Sequence, residues 1–182
     1  MQFKHLGLAG TALAGMATIT LVFSGQAQAA STIETLIAGT NQKLCVSDDN
    51  LHPSKNNAVG LDLVGCNGSN GNDTFYATAS SYGSGWFSIV SNDHTNPGSF
   101  CITGYSPKDT YLDLEGCNGG ANQAWKKSCQ PGGTEIVNAI GYAINDYGGA
   151  GENDDPVVSW NFESPPPKSL IFTESAHDMG TC

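Results

Sequence analysis

The sequence predicts an all-β domain built from three similar repeats and stapled by disulfides. Three observations indicate this fold class: one eight-residue pattern occurs twice, four of the six cysteines occupy matching positions in the two copies, and turn-forming residues are abundant. The chain has 182 residues, of which 23 are glycine, and only 13% are charged. Many Gly, Asn, Ser, Thr and Asp residues between short apolar runs favour strands and tight turns over helices.

Residues 1–29 have the pattern of a secretory signal peptide. Lys4 and His5 precede an apolar run from Leu6 to Phe23, and Ala27-Gln28-Ala29 forms a small-x-small cleavage site. A transmembrane anchor is the alternative, but Gly and Thr weaken the run and no stop-transfer charge cluster follows. We expect a secreted, extracellular protein with no membrane span, whose mature part of about 150 residues forms one domain with its own core.

The charge of the chain restricts its partners. Seven lysines and no arginine stand against 17 Asp and Glu residues, so the formal net charge is −10 at pH 7. Such a surface repels nucleic acid and anionic membranes, and it favours a neutral or cationic partner. The alternative is that the acidity serves only solubility.

The repeats are visible as shared motifs. The pattern L-D-L-x-G-C-N-G occurs at 61–68 and again at 112–119, and each copy is followed by a closing segment that ends in an aromatic residue, Phe75 or Trp125. A third copy is less similar to the other two. It begins at 140–147, continues through 156–162 and ends near Leu170. The closing positions therefore recur about every 45–50 residues, a period typical of one four-stranded unit per repeat.

Six cysteines in an exported chain indicate disulfides, and six allow 15 pairings. Cys45 and Cys66 occupy the same two positions in the first repeat as Cys101 and Cys117 do in the second. We therefore expect one disulfide within each repeat, Cys45–Cys66 and Cys101–Cys117, and each should contribute about 3 kcal/mol to stability in the loop-entropy model. Because the number of cysteines is even, the two that remain, Cys129 and Cys182, should pair with each other. This disulfide has no counterpart in the repeats. In the third repeat Ala143 and Phe162 occupy the positions of the two cysteines, and an apolar contact there can replace the disulfide.

The segment Cys117 to Trp125 reads C-N-G-G-A-N-Q-A-W. It resembles the signature that closes each repeat of the ricin B-chain-like, or R-type, lectins. The resemblance implies a β-trefoil of three repeats, with a ricin B-like lectin domain over 37–173 and a C-terminal tail over 174–182. It also assigns Asn122, Gln123 and Trp125 to the structural motif: the glutamine can fix the turn backbone and the indole can fill one third of a shared core.

The same resemblance implies where sugar would bind. An R-type pocket has an acid two residues after the first cysteine slot and an aromatic ring two residues before the second. The acid position holds Ser47, Thr103 and Asn145 in the three repeats. The ring position holds Val64, Glu115 and Trp160. Only the third repeat has a ring, so the predicted carbohydrate-binding residues are Asn145, Asp146, Trp160 and Asn161. The alternative role for Trp160 is a partly buried residue between hairpins, beside Phe162.

The expected function is therefore a secreted lectin-like protein that binds glycans or glycoproteins without catalysis, cofactor or metal. The three histidines after the signal segment lack any catalytic motif around them, and no calcium-loop pattern is present. The alternative is a trefoil whose loops bind a protein, as in a protease inhibitor or host-interaction protein, because fold does not fix function.

Overall fold

The computed structural model describes residues 33–36, 43–48, 59–66, 73–92, 98, 100–130, 133–147, 149, 152–164 and 172–174. The predicted signal peptide, the closing position Leu170, Cys182 and the tail after Glu174 lie outside the described residues. None of the described residues forms a helix long and apolar enough to cross a membrane.

The described part of the chain is a succession of short strands with one 3₁₀ turn, Ala121–Gln123, as its helical element. We number the strands in chain order: β1 Ile33–Leu36, β2 Lys43–Ser47, β3 Val59–Gly60, β4 Asp62–Gly65, β5 Phe75–Ala79, β6 Phe87–Ser91, β7 Phe100–Thr103, β8 Thr110–Tyr111, β9 Asp113–Gly116, β10 Trp125–Gln130, β11 Gly133–Asn138, β12 Tyr142–Asp146, β13 Val157–Asn161 and β14 Phe172–Glu174.

Three hairpins, β2–β4, β7–β9 and β12–β13, share one register and define the three repeats. The directly paired residues are Cys45 with Val64, Cys101 with Glu115 and Ala143 with Trp160. These are the same slots that the sequence motifs align. Both predicted within-repeat disulfides are present, Cys45–Cys66 and Cys101–Cys117. Cys129 is also disulfide-bonded, although Cys182, its predicted partner, lies outside the described residues.

The remaining hairpins complete each repeat, and the third is completed by the other end of the chain. β5 pairs with β6 in the first repeat, and β10 pairs with β11 in the second. In the third repeat β14 pairs with β1, with Thr35 opposite Phe172. Ile33–Leu36 and Glu174 lie outside the predicted bounds of 37–173. β1 supplies the strand that pairs with β14 in this repeat, and none of the described residues forms a strand after β14.

A ring of backbone hydrogen bonds joins the three repeats at one level. The Leu61 N–H donates to the Leu112 carbonyl at 3.1 Å, Leu112 to Val157 at 2.9 Å, and Val157 back to Leu61 at 2.8 Å. The three residues are equivalent, since each precedes or begins the second strand of its repeat hairpin. A closed ring of this kind requires the three units to be related by an approximate three-fold axis.

The core lies inside this arrangement and draws on all three repeats. Trp125 and Phe75, which end the closing segments of the second and first repeats, are both 0% exposed. They pack in one cluster with Leu44, Val46, Leu61, Leu63, Ala77, Ile89, Ile102, Leu112, Leu114, Ile136, Ile144 and Val157. The indole N–H of Trp125 donates to the Ile102 carbonyl at 2.9 Å, so its one polar atom is satisfied on burial.

Candidate functional site

The β12–β13 hairpin of the third repeat separates the predicted site residues between its two faces. Ala143 pairs with Trp160, and Asn145 pairs with Val158. Because side chains alternate along a strand, Asn145 and Trp160 lie on one face, whereas Asp146 lies on the opposite face, where it is 0% exposed. Asn161 is exposed at the end of β13. The structure therefore brings together Trp160 and Asn145, but not Trp160 and Asp146.

Trp160 is half-buried and has a different neighbour on each of its sides. It packs against Val137 and Ala143, a small apolar cluster outside the main core. Its indole N–H donates to Glu163 Oε1 at 2.8 Å, and the Lys108 ammonium lies 4.4 Å from the ring centroid. A cation at this distance is attracted by the ring's negative face. A sugar ring that stacks on this face would therefore have to displace Lys108.

Lys108 belongs to the second repeat, so the site spans two repeats. Its loop is held on the third-repeat hairpin at Ser159, whose Oγ accepts from the Tyr105 N–H at 2.9 Å and whose carbonyl accepts from the Asp109 N–H at 2.8 Å. The Ser106 and Tyr142 hydroxyls are 3.1 Å apart. Sequence reasoning missed Lys108, because a motif alignment within repeats carries no signal for a contact between them.

Asn145 supplies a buried acceptor beside the Trp160 face. Its side chain is 5% exposed, and its Nδ2 donates to the Asp146 carbonyl at 2.9 Å. Its Oδ1 has no hydrogen-bond partner among the described residues. A buried acceptor without a donor costs about 1–3 kcal/mol. A donor that reached this atom, from water or from a ligand hydroxyl, would recover part of that free energy.

The second repeat shows that the closing glutamine acts inside the fold. Gln123 is 0% exposed, so it cannot contact a ligand. Its Oε1 accepts from the Asn118 N–H at 2.7 Å, and its Nε2 donates to Thr103 Oγ1 at 2.9 Å and to the Gly116 carbonyl at 3.1 Å. The side chain thus ties the turn after β9 to the end of β7. Asn122 contributes its carbonyl, which accepts from the Gly104 N–H at 2.9 Å.

A buried glutamate takes over part of this role in the third repeat. Glu163 follows Trp160 by three residues, as Asn118 follows Glu115, so the two are equivalent. The Glu163 N–H donates to Glu135 Oε1 at 3.3 Å, in place of the glutamine oxygen. Glu135 is 0% exposed, and its Oε2 has no hydrogen-bond partner in the part of the chain that the structure describes. Burial raises the pKa of this carboxyl, the Glu163 backbone bond opposes the rise, and the Glu163 charge adds to it.

We expect Glu135→Gln to stabilise the protein at neutral pH and to remove a pH dependence. A carboxyl whose pKa is raised on folding binds more protons in the native state. Its contribution is therefore most favourable below its unfolded pKa and is lost as pH rises through the folded value. Glutamine keeps the acceptor for Glu163 and adds a donor without charge. In thermal melts between pH 4 and pH 8, Tm should fall as the pH rises, and it should fall more in the parent than in the Glu135→Gln variant. Equal slopes would contradict this prediction.

The ring position of the second repeat offers an acid facing a tyrosine. Burial raises the pKa of the Tyr105 phenol, and the nearby carboxylates of Glu115 and Asp113 raise it further. The first repeat holds Val64 at the same position and has no ring there. Within the described residues no three His, Cys, Asp or Glu side chains cluster as metal ligands.

No protein-family model matches the sequence, and no curated protein matches it. Solved structures do match. A designed three-fold symmetric protein, ThreeFoil, has a TM-score of 0.60 at 13% identity and is aligned over 78% of this chain and 96% of its own. The C-half of the earthworm R-type lectin, solved in complex with GalNAc, has a TM-score of 0.53 at 11% identity over 80% and 98%. The chain has the β-trefoil fold. At these identities the likeness shows the fold alone.

The trefoil also matches parts of longer chains. The lectin of Polyporus squamosus, solved with the epitope Neu5Acα2-6Galβ1-4GlcNAc, aligns over 84% of this chain with a TM-score of 0.58 and 16% identity, but over only 50% of its own length. An exo-β-1,3-galactanase from Clostridium thermocellum aligns over 82% of this chain and 31% of its own, with a TM-score of 0.59 and 18% identity. The trefoil thus covers half or less of each of these two proteins.

Proposed function

We propose that this trefoil is a secreted, non-catalytic carbohydrate-binding protein that binds glycans or glycoproteins through its third repeat. The observation that carries the proposal is the position of Trp160. Of the three equivalent ring positions, Val64, Glu115 and Trp160, only the last has a flat apolar surface. A sugar ring can place its C–H groups on such a surface while its hydroxyl groups keep their hydrogen bonds at the edges.

The surroundings of Trp160 supply the polar partners that such a ligand needs. Glu163 is exposed and already accepts the indole N–H, so its carboxylate can also accept from a sugar hydroxyl at the ring edge. Lys108, once a stacked sugar has displaced it from the ring face, can donate to a hydroxyl at the sugar edge. Asn145 lies on the same face of the hairpin; its Oδ1 has no donor among the described residues but is buried, so a ligand would reach it through a bridging water. A half-exposed ring with few polar partners buries little ligand surface, so we expect weak affinity for a single sugar.

The similar structures support the ligand class. Two of them are lectins by name, and their structures hold GalNAc and a sialylated trisaccharide respectively. The galactanase supports a binding role over a catalytic one, because most of that enzyme's chain lies outside the part that this trefoil matches. Secretion is supported by the signal-like N-terminus and by the disulfides, which persist in oxidising compartments.

A glycan array run beside a protease-inhibition panel tests the proposed function. Retention of neutral glycans by the mature protein, with protease activity unaffected, is the expected result. Binding should be confirmed by titration in solution, because weak sites can give array signals through multivalency. Silence across the array together with tight inhibition of a protease would reject the carbohydrate function in favour of the protein-binding alternative.

A further inference from the structure

A second aromatic site lies on the first-repeat hairpin, away from Trp160. β5 and β6 are paired up to Ala79 and Phe87, which leaves a seven-residue loop over 80–86. The loop is fixed by its own backbone: the Ser80 N–H donates to the Trp86 carbonyl at 3.0 Å, and the Trp86 N–H donates to the Gly83 carbonyl at 3.3 Å. Gly85 has a φ of 80°, a conformation that side-chain-bearing residues rarely adopt.

The loop presents two perpendicular rings to solvent. Tyr82 and Trp86 have centroids 5.6 Å apart and an interplanar angle of 86°. Tyr82 is 48% exposed, while Trp86 is half-buried. Edge-to-face packing of this kind holds both rings in place. The corner between them is therefore a fixed apolar surface, large enough for one sugar ring to stack on Tyr82.

A lysine from the second repeat completes this corner. The Lys126 ammonium lies 4.8 Å from the Trp86 ring centroid. Phe87 pairs with Trp125 across β6 and β10, so alternation places Trp86 and Lys126 together on the outer face. Trp86 contacts both Tyr82 and Lys126, and one ligand can therefore meet the tyrosine ring and the ammonium at once.

The two segments that form this corner carry no acid of their own. The chain has 17 acids, yet residues 74–92 and 116–134, which contribute the β5–β6 hairpin and β10, contain none. The same two segments contain two of the seven lysines, Lys126 and Lys127. These segments are adjacent in the fold through the β6–β10 pairing. These two segments therefore contribute lysines and no acid to the corner, and Glu135 on the neighbouring strand β11 lies opposite Ser128, two residues from Lys126.

We propose that Tyr82, Trp86 and Lys126 form a second carbohydrate site, selective for sugars that carry a carboxylate or sulfate. The sugar ring stacks on Tyr82 and its anionic group pairs with the Lys126 ammonium. Trp86 is a positioning residue, because it contacts both Tyr82 and Lys126. This site uses none of the residues of the third-repeat site, and it selects ligands of a charge that the chain as a whole repels.

Titration of the mature protein with trigalacturonate, with its neutral methyl ester and with a sulfated galactan oligosaccharide tests the site. We expect the acidic sugars to bind and Lys126→Gln to weaken them about tenfold, the loss of one hydrogen bond to a charged group. Raising the salt concentration should have the same effect, because exposed charges are screened. Tyr82→Ala should weaken acid and ester alike, and Tyr82→Phe should restore binding because it keeps the ring. Binding by only one of the acidic sugars would identify the preferred anion.

Lys127→Gln is the matched control, because it removes the same charge from the next residue of β10, whose side chain lies on the opposite face of the strand, and it should leave trigalacturonate affinity unchanged. Equal affinity for acid and ester, an unchanged affinity in both Lys126→Gln and Tyr82→Ala, or equal binding of an oligothymidylate of the same charge would overturn the proposal. Trp160→Ala separates the two sites. Loss of neutral glycans with retention of trigalacturonate supports both sites, retention of both ligands would reject only the third-repeat site, and loss of trigalacturonate would reject the second site.

Discussion

Trp160→Ala should abolish retention of neutral glycans while leaving the protein folded. An aromatic residue at the centre of a contact surface typically contributes 2 kcal/mol or more to binding, which corresponds to roughly a 30-fold loss of affinity. The ring is half-buried, and its apolar contacts are with the small cluster of Val137 and Ala143. Its removal should therefore cost the fold about 1 kcal/mol. Affinity by titration and stability by urea unfolding, measured on the same preparation, check both parts.

Two further variants make this result specific. Trp160→Phe keeps a flat ring but loses the N–H bond to Glu163, so it should retain part of the affinity. Ile140→Ala truncates an exposed apolar side chain on the neighbouring β11–β12 turn, and it should change neither quantity. If Trp160→Ala unfolds the protein, then Trp160 is a packing residue between hairpins. If it changes neither stability nor glycan retention, the third-repeat site is wrong.

Trp125→Ala should have the opposite effect and damage the fold first. Trp125 is 0% exposed and its side chain packs in the cluster that all three repeats share. Truncation of a buried aromatic residue leaves a cavity and typically costs about 3–5 kcal/mol. In this case it also leaves the Ile102 carbonyl without the indole donor. Chemical unfolding should show a large loss of the free energy of unfolding.

Trp125→Phe is the matched control for this experiment. It keeps much of the apolar volume but removes the hydrogen bond, so its cost should lie between those of the parent and the alanine variant. Melting of Trp125→Ala close to that of the parent would mean that the closing motif does not support the core. Glycan affinity measured on any folded fraction should be preserved, since Trp125 contacts no solvent.

The fold could be predicted because its signals are local and repeated. The cysteine slots, the L-D-L-x-G-C-N-G pattern and the closing motif each recur at matched spacing, and the hairpin registers of Cys45, Cys101 and Ala143 follow that alignment. The disulfides within repeats follow from the same slots. Strand β1 gave no such signal, because four residues before the first motif have no repeat copy to be compared with.

The site could be predicted only in part, because its contacts cross repeat boundaries. The ring position of Trp160 follows from slot equivalence. Lys108 and Glu135 come from the second repeat and reach the third only through the folded arrangement, so no spacing rule includes them. The choice between Asn145 and Asp146 depends on strand alternation, which is decided by the pairing of Ala143 with Trp160. Only Asn145 shares the face of that ring.

The pairing of β1 with β14 has a consequence for how the polypeptide is assembled and how it can be rearranged. β1 pairs with β2 on one side, but Ile33 also lies opposite Glu174 on the other, so this sheet is complete only when β14 has left the ribosome. The adjacency of the two ends also means that a short linker could join them. New termini could then be opened in a loop between repeats, since exposed loops tolerate such cuts. A permuted chain of this kind would carry all three repeats as contiguous segments, with no repeat divided between its ends.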